Sequence, residues 1–247
     1  MLLQKGIDRT FKSNILLASS TAFAAGMTNV AGVLACYTFT SNVTGHTAAF
    51  AKHMLQKNWE DMWVIFSWIL LFLGGAFFSH FLIRTFERKN LYFAHALPLI
   101  IEGIILVCAG LYGTFYYTES DSGTYLLTAS LLFSMGMQNS AVSTISGGSV
   151  KVTHLTGLFT DLGGELSEWF HPATPRTEVL KQKLQLRFTI LGCYLLGGFI
   201  GGWLYLKIEF YCFFAIAFIL VTIILYDWWK SVVKKIAREE KPQTANA

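Results

Sequence analysis

Charge is what this sequence has least of. Asp, Glu, Lys and Arg make up 14% of its 247 residues, where a soluble domain carries about 25%. Residues that bury little charge and 53% apolar mass point to lipid rather than water as the surrounding medium. Paired cysteines are absent too. Cys36, Cys108, Cys193 and Cys212 all fall inside apolar segments and form no CxxC, so free thiols are expected instead of a disulfide framework. There is no HExxH, no Walker loop, no GxSxG and no GxGxxG after a strand. Hydrolytic and nucleotide chemistry therefore have no support, and neither an enzyme nor a cofactor is expected. No short leader with a small-residue cleavage site opens the chain. "MLLQKGIDRTFKSN" leads straight into a full-length apolar run, so no signal peptide is read. The net charge of +4 is modest and gives no reason to expect a nucleic-acid partner.

Six apolar segments are long enough to span a bilayer, at approximately 15–37, 62–83, 96–117, 124–145, 188–206 and 210–229. Pro98 stands near the start of the third, where a first helical turn tolerates it. Trp59, Trp63, Trp203, Trp228 and Trp229 sit near segment ends, as an aromatic belt does. Two links, 38–61 and 146–187, are longer than the rest. Sixteen Lys and Arg residues fall on one side of this arrangement, from Lys5 through the tail to Lys241. Only Lys52, Lys57 and Lys207 fall on the other, where one link carries Glu119 and Asp121. The positive-inside rule then places both termini in the cytoplasm.

The two halves repeat one another. "GMTN" (26–29) matches "GMQN" (136–139), "VTGHTAAF" (43–50) matches "LTGLFTDL" (155–162), and "LGGAFFSHFL" (73–82) matches "LGGFIGGWLY" (196–205). Three matches in one order indicate an internal repeat. Three spans per repeat is an odd number, so the second copy enters the membrane from the opposite side. The expected fold is an all-α membrane protein of six transmembrane helices, in two inverted three-helix repeats at 15–117 and 124–229. The chain is a single membrane domain over 1–247, and a basic cytoplasmic tail covers 230–247. The first Thr-Gly phrase then lies toward the outside and the second toward the cytoplasm.

These paired phrases, with the "LLGGFIGG" span, resemble the YoaK-like bacterial membrane proteins over roughly 15–228. The resemblance implies a bacterial inner-membrane protein of about six spans, with transport or export of a small molecule as the usual suggestion. The family commonly has Gly-x-x-Asp where this chain has Asn29, and Thr-Gly-Asn where it has His46. A membrane-embedded acid of the relatives is thus missing here.

Asn29 and Asn139 fall near the middle of a ~30 Å hydrocarbon core by helical rise. An amide there needs a partner, which is another helix, water or a ligand. Two readings stand. Asn29, Gln138 and Asn139, with Thr28 and Asn42, form a binding site or pathway while Gly26 and Gly136 loosen the helices, or the amides only brace the halves. The Thr-Gly phrases also have two readings. Thr44, Gly45 and His46, with His154, Thr156 and Gly157, form gates, or the glycines end helices and the histidines are surface hydrogen-bonders. Glu102 is the one carboxylate clearly inside a span, a candidate for proton coupling or a structural Glu. Gly75, Gly197, Gly198, Gly201 and Gly202 are helix-packing positions, within the bundle or across a homodimer. Asp161, Glu165 and Glu168, with His154 and His171, read as a solvated helix face, and no metal is expected. "PRTEVLKQKLQLR" (175–187) reads as a short basic helix on the inner leaflet. The leading expectation is a secondary transporter or exporter of a small polar or amphipathic metabolite. A non-transporting scaffold, or a module that binds lipid or a partner, is the alternative.

Overall fold

Polar residues just ahead of the apolar runs start the helices. In the computed structural model the described residues are 1–4, 9–118 and 120–239. Lys5, Glu119 and Lys241, used in the charge argument, lie outside them, as does the tail from residue 240. Thr10 caps α1 (Phe11–Cys36), Asn42 caps α2 (Val43–Leu55) and Asn58 caps α3 (Trp59–Phe86). Asn90 caps α4 (Leu91–Phe115), Ser120 caps α5 (Asp121–Ile145) and Thr177 caps α7 (Glu178–Ile208). Each side-chain oxygen accepts a first-turn N–H that has no partner within the helix. Between them, α6 (Leu155–Phe170) starts at His154 with no such bond. A 3₁₀ turn at Glu209–Tyr211 leads into α8 (Cys212–Glu239). No strand occurs among the described residues.

The protein is an all-α, multi-pass membrane protein. Four stretches are long and apolar enough to cross a bilayer: Phe11–Cys36, Trp59–Phe86, Leu91–Phe115, and Glu178–Lys230, which takes in α7 and most of α8. Helix α5 is not among them, although its 25 residues give it a length of about 37 Å. Thr128, Ser134 and Gln138 are buried on it, so its polar residues face other helices instead of lipid. By contrast α3 exposes Leu70, Leu73, Phe77 and Phe81, and α7 exposes Leu195, Leu196 and Phe199. Trp59, Trp63, Trp203, Trp228 and Trp229 are exposed as well.

Two helix pairs cross at backbone contact. Helices α1 and α7 run parallel. A Cβ on Gly26 would overlap the Tyr194 carbonyl, and one on Gly197 would overlap that of Phe23. Helices α3 and α5 also run parallel, from the Trp68 and Tyr125 rings to a 3.1 Å hydrogen bond between His80 Nδ1 and Thr144 Oγ1. There a Cβ on Gly136 would overlap the Phe72 carbonyl, and one on Gly75 that of Phe133. The contacts are reciprocal and share one spacing, so Gly75 corresponds to Gly197. The matching sequence phrases had paired Gly197 with Gly74, one residue away. Gly201 lies against Met27, and Gly198 and Gly202 lie against Val30. Gly26 and Gly136 are therefore crossing points, where lost side chains let helices touch. Helices α4 and α8 close the bundle, with Phe214 over Gly110 and Tyr92 Oη donating to the Ile224 carbonyl at 2.6 Å.

The two long links hold α2, for which no helix is expected, and α6, whose expected solvated face is so only in part, because Glu165 is buried. Pro98 is the eighth residue of α4, well past the first turn expected for it. The stretch 175–187 is no separate surface helix, because α7 runs unbroken from Glu178 into the apolar segment. Arg187 on α7 pairs with Asp161 and Glu165 on α6, at 3.0 and 2.9 Å. No metal-binding group of His, Cys, Asp and Glu occurs among the described residues.

Candidate functional site

The end of α1 folds back on itself. Tyr37 takes the left-handed conformation at φ 55° and reverses the chain, which carries Thr40 and Ser41 onto Asn29. Asn29 Oδ1 accepts from Thr40 N–H (3.2 Å), Thr40 Oγ1 (3.0 Å) and Ser41 Oγ (3.1 Å). Its Nδ2 donates to Tyr194 Oη at 2.8 Å. Both polar atoms of an amide buried in the bundle are thus bonded, as a low-dielectric site demands. Asn42, which is exposed, then starts α2 directly after this network.

The second half repeats the plan with other residues. Gly147 and Gly148 turn the chain at positive φ (61° and 84°), a conformation that suits glycine. Ser146 Oγ accepts from Val150 N–H at 3.0 Å, and Val150 and Val152 are buried in the core. This delivers His154 to the start of α6.

The two Thr-Gly glycines share a structural cause. Gly45 is the third residue of α2 and Gly157 the third of α6, so neither ends a helix. A Cβ on Gly45 would run into the Asn42 side chain, and one on Gly157 into the His154 ring. In each helix the cap residue folds over the first turn, and only glycine leaves room for it.

The starts of α2 and α6 face one cavity of about 820 Å³. Of the expected pathway residues, Asn29, Asn139 and Asn42 line it, and so do Thr44, His154 and Thr156 from the gate set. The two phrases that sequence assigned to opposite mouths therefore meet at one space. Tyr194, His80, Lys151 and Ser140 line it as well, although sequence reasoning did not single them out as site residues. A register fixed on Gly75 and Gly197 would have found Tyr194, because it stands where the other half has Phe72.

The remaining candidates lie elsewhere. Thr28 is buried and donates to the Ala24 carbonyl of its own helix at 3.0 Å. Gln138 is fully buried, and neither amide atom has a partner among the described residues. His46 is buried, with Nε2 2.8 Å from the Phe39 carbonyl and its ring edge-on to Trp68, so it is no surface histidine. Glu102 on α4 is fully buried, with both carboxyl oxygens lacking a hydrogen bond among the described residues, and it is outside the cavity. A second buried carboxylate, missed in the sequence, is Asp227 on α8, which accepts from Leu2 N–H at 2.8 Å.

Asn139 differs sharply from Asn29. Its amide forms no hydrogen bond among the described residues, and its Oδ1 is buried without a partner. The first turn of α6, with the His154 ring over it, likewise lacks a side-chain cap hydrogen bond. The N–H groups of Leu155, Thr156 and Gly157 find no acceptor among the described residues. In α2, Asn42 Oδ1 takes the Gly45 N–H at 3.0 Å, and Ser41 takes that of Val43 at 3.1 Å. No Asp or Glu among the described residues lines the cavity.

Neither the curated proteins nor the solved structures contain a match to this chain. A family model described as "Protein of unknown function (DUF1275)" matches residues 17–226, which takes in both Thr-Gly phrases, both asparagines and all six long helices in whole or in part. With most of its length matched, the chain belongs to the DUF1275 family of proteins of unknown function.

Proposed function

We propose that the protein is a secondary transporter or exporter of a small polar or amphipathic metabolite, working by alternating access in a bacterial inner membrane. In this reading α1, α3, α4, α5, α7 and α8 are six spans with both termini cytoplasmic. They form two inverted repeats, and α2 and α6 are the re-entrant segments of the repeats. The reciprocal crossings support it, since Gly26 against Tyr194 and Gly136 against Phe72 are the same contact made once in each half. Pseudo-symmetric transporters place broken segments around a site near the midplane, and irregular backbone in a membrane is tolerated where it lines such a space.

The observation that carries the reading is the cavity between the starts of α2 and α6, with Asn29 and Asn139 on its wall. The pair α1 and α7, joined at backbone contact, moves against the pair α3 and α5 around it, and the first turns of α2 and α6 close it on alternate sides. Glu102, buried and without a hydrogen bond among the described residues, is the group assigned to proton coupling. The expected behaviour of E102Q is loss of accumulation driven by a pH gradient, with exchange retained. The bonds to both polar atoms of Asn29 favour a second reading, a non-transporting membrane module in which the amide is only a brace. Flux into proteoliposomes separates the two. Saturable, protein-dependent movement of a solute, lost in N139A, supports transport, and a panel of solutes with no flux supports the module.

A further inference from the structure

We infer that Glu102, Ser134 and Gln138 form a site for one small monovalent cation of sodium size, buried between α4 and α5. The site is separate from the cavity, and binding there does not depend on transport.

Depth brings the three residues together. Helices α4 and α5 pack against each other across a short link. Close to that link, Tyr112 Oη stands 3.1 Å from where a Cβ on Gly123 would lie, and Ala109 and Leu127 share one apolar cluster. Glu102 is thirteen residues before the end of α4 at Phe115, and Ser134 is thirteen after the start of α5 at Asp121. Both therefore lie about 20 Å along their helices from the link. Gln138 is one turn further on the same face as Ser134, level with Pro98. Asn139, Ser140 and Ser143 turn toward the cavity, which leaves Ser134 and Gln138 on the opposite side of α5.

Nothing in the bundle answers these groups. All three residues are fully buried. Both Glu102 carboxyl oxygens, Ser134 Oγ and both polar atoms of the Gln138 amide lack a hydrogen bond among the described residues. Countercharge is missing as well. Helix α4 packs against α3, α5 and α8, whose stretches 62–79, 126–145 and 213–225 contain no ionisable residue. On α4 itself the nearest are His95 and Cys108, about two turns away on either side. A carboxylate in such surroundings needs a proton or a cation from outside the protein.

The apolar core is interrupted at the same level. Leu99, Met135 and Ile224 belong to one cluster, and Leu106, Leu131 and Leu220 belong to the other. Glu102 and Ser134 fall between the two on their helices. Gly103, next to Glu102, is also buried, yet a Cβ on it would meet nothing within 4 Å. Packing leaves room where the unpaired groups stand.

The donor set selects the ion. A proton would neutralise Glu102 and leave Ser134 and Gln138 unpaired. A metal ion takes the carboxylate, the hydroxyl and the amide oxygen together, and hard oxygen donors suit hard cations. Pro98 has no N–H to give the buried Ala94 carbonyl, which frees a further oxygen. One carboxylate supplies one negative charge. A monovalent ion leaves the site neutral, whereas a divalent ion would leave net charge in a medium that solvates it poorly. Entry of the cation releases a proton held on Glu102, so the two exclude each other and the site is neutral with either.

The test uses the full chain in lipid nanodiscs, with no solute and no gradient. Binding of radiolabelled Na⁺ and the Tm are read in NaCl, choline chloride and MgCl₂ at matched ionic strength. Na⁺ is expected to bind saturably and to raise the Tm. Choline should do neither, and Mg²⁺ should compete at least about tenfold more weakly. E102Q keeps the side-chain size and is expected to elute unaltered on gel filtration and to lose the Na⁺ response. S134A is expected to weaken Na⁺ about threefold to tenfold. N139A, which faces the cavity instead, should leave Na⁺ binding unchanged. A Tm equal in NaCl and choline chloride overturns the inference, as does Mg²⁺ binding as tightly or a Na⁺ response retained in E102Q. If E102Q does not fold, S134A decides, and wild-type affinity for Na⁺ in that variant overturns the inference. Na⁺ binding without solute flux in vesicles leaves the inference standing and defeats transport. Solute flux by a protein that binds no Na⁺ does the reverse.

Discussion

The two halves of the bundle share a plan and differ in what they leave unbonded. In the first, Asn29 is held by Thr40, Ser41 and Tyr194, and Asn42 covers the first turn of α2. In the second, Asn139 has no hydrogen-bond partner among the described residues, and His154 gives α6 no cap. The same short phrase thus serves as a brace in one copy and is left without such bonds among the described residues in the other. A buried polar group costs free energy unless it is paired. The unpaired copy is therefore the one whose form calls for a ligand.

At the helix crossings the halves are alike, so the largest effect is expected to be the same in both. G75L and G197L each drive a side chain into a backbone carbonyl of the neighbouring helix. Each should cost several kcal/mol, as overpacking at a crossing does, and abolish the monodisperse protein on gel filtration. If one variant is tolerated, the crossings are not equivalent. At the asparagines the halves should part. N29A strips Thr40, Ser41 and Tyr194 of their shared partner and should cost about 3 kcal/mol, read as a lower Tm in detergent. N139A removes no protein hydrogen bond among the described residues and should cost less than about 1 kcal/mol. Equal losses would erase the contrast.

Smaller changes sharpen it. Y194F removes one hydrogen bond to Asn29, giving the α1–α7 crossing the residue type that Phe72 supplies to the α3–α5 crossing, and should cost about 1 kcal/mol. H154N places an Asn at the start of α6, as Asn42 stands at the start of α2. It should stabilise by about 0.5–1 kcal/mol, read as a higher Tm in detergent, because the new side chain can accept the Gly157 N–H. A Tm that does not rise would show that the two helix starts are not equivalent.

Much of this was legible in the chain. The long helices begin and end within a few residues of the apolar segments, except α7, which starts ten residues before 188, and α8, which continues ten beyond 229. Hydropathy sees the part in lipid and not the polar turns that continue the helix. Helix α2 and the bounds of α6 escaped because both are short and lie in links with no span-length apolar run. Repetition pointed to Asn29, Asn139 and the Thr-Gly phrases, and all of these elements gather at one cavity except that Gly45 and Gly157 stand behind its lining residues. The asymmetry was not legible. It depends on which residue faces each amide, Tyr194 or Phe72, and a one-residue error in matching the glycines hides that pairing. His46 and Gln138 were misread for a related reason, since adjacent helical positions point about 100° apart and repeats alone do not tell which one faces the space.

The claim on which the account depends is that the cavity opens to each side of the membrane in turn. Ser140 lines it beside Asn139, so S140C, in a background with Cys36, Cys108, Cys193 and Cys212 changed to Ser, offers the direct measurement. Sealed vesicles of both orientations are treated with a membrane-impermeant thiol reagent, and labelling is followed with time. The account predicts labelling from both faces, with ligand or a pH gradient shifting the ratio of the two rates. Labelling confined to one face under every condition would contradict it.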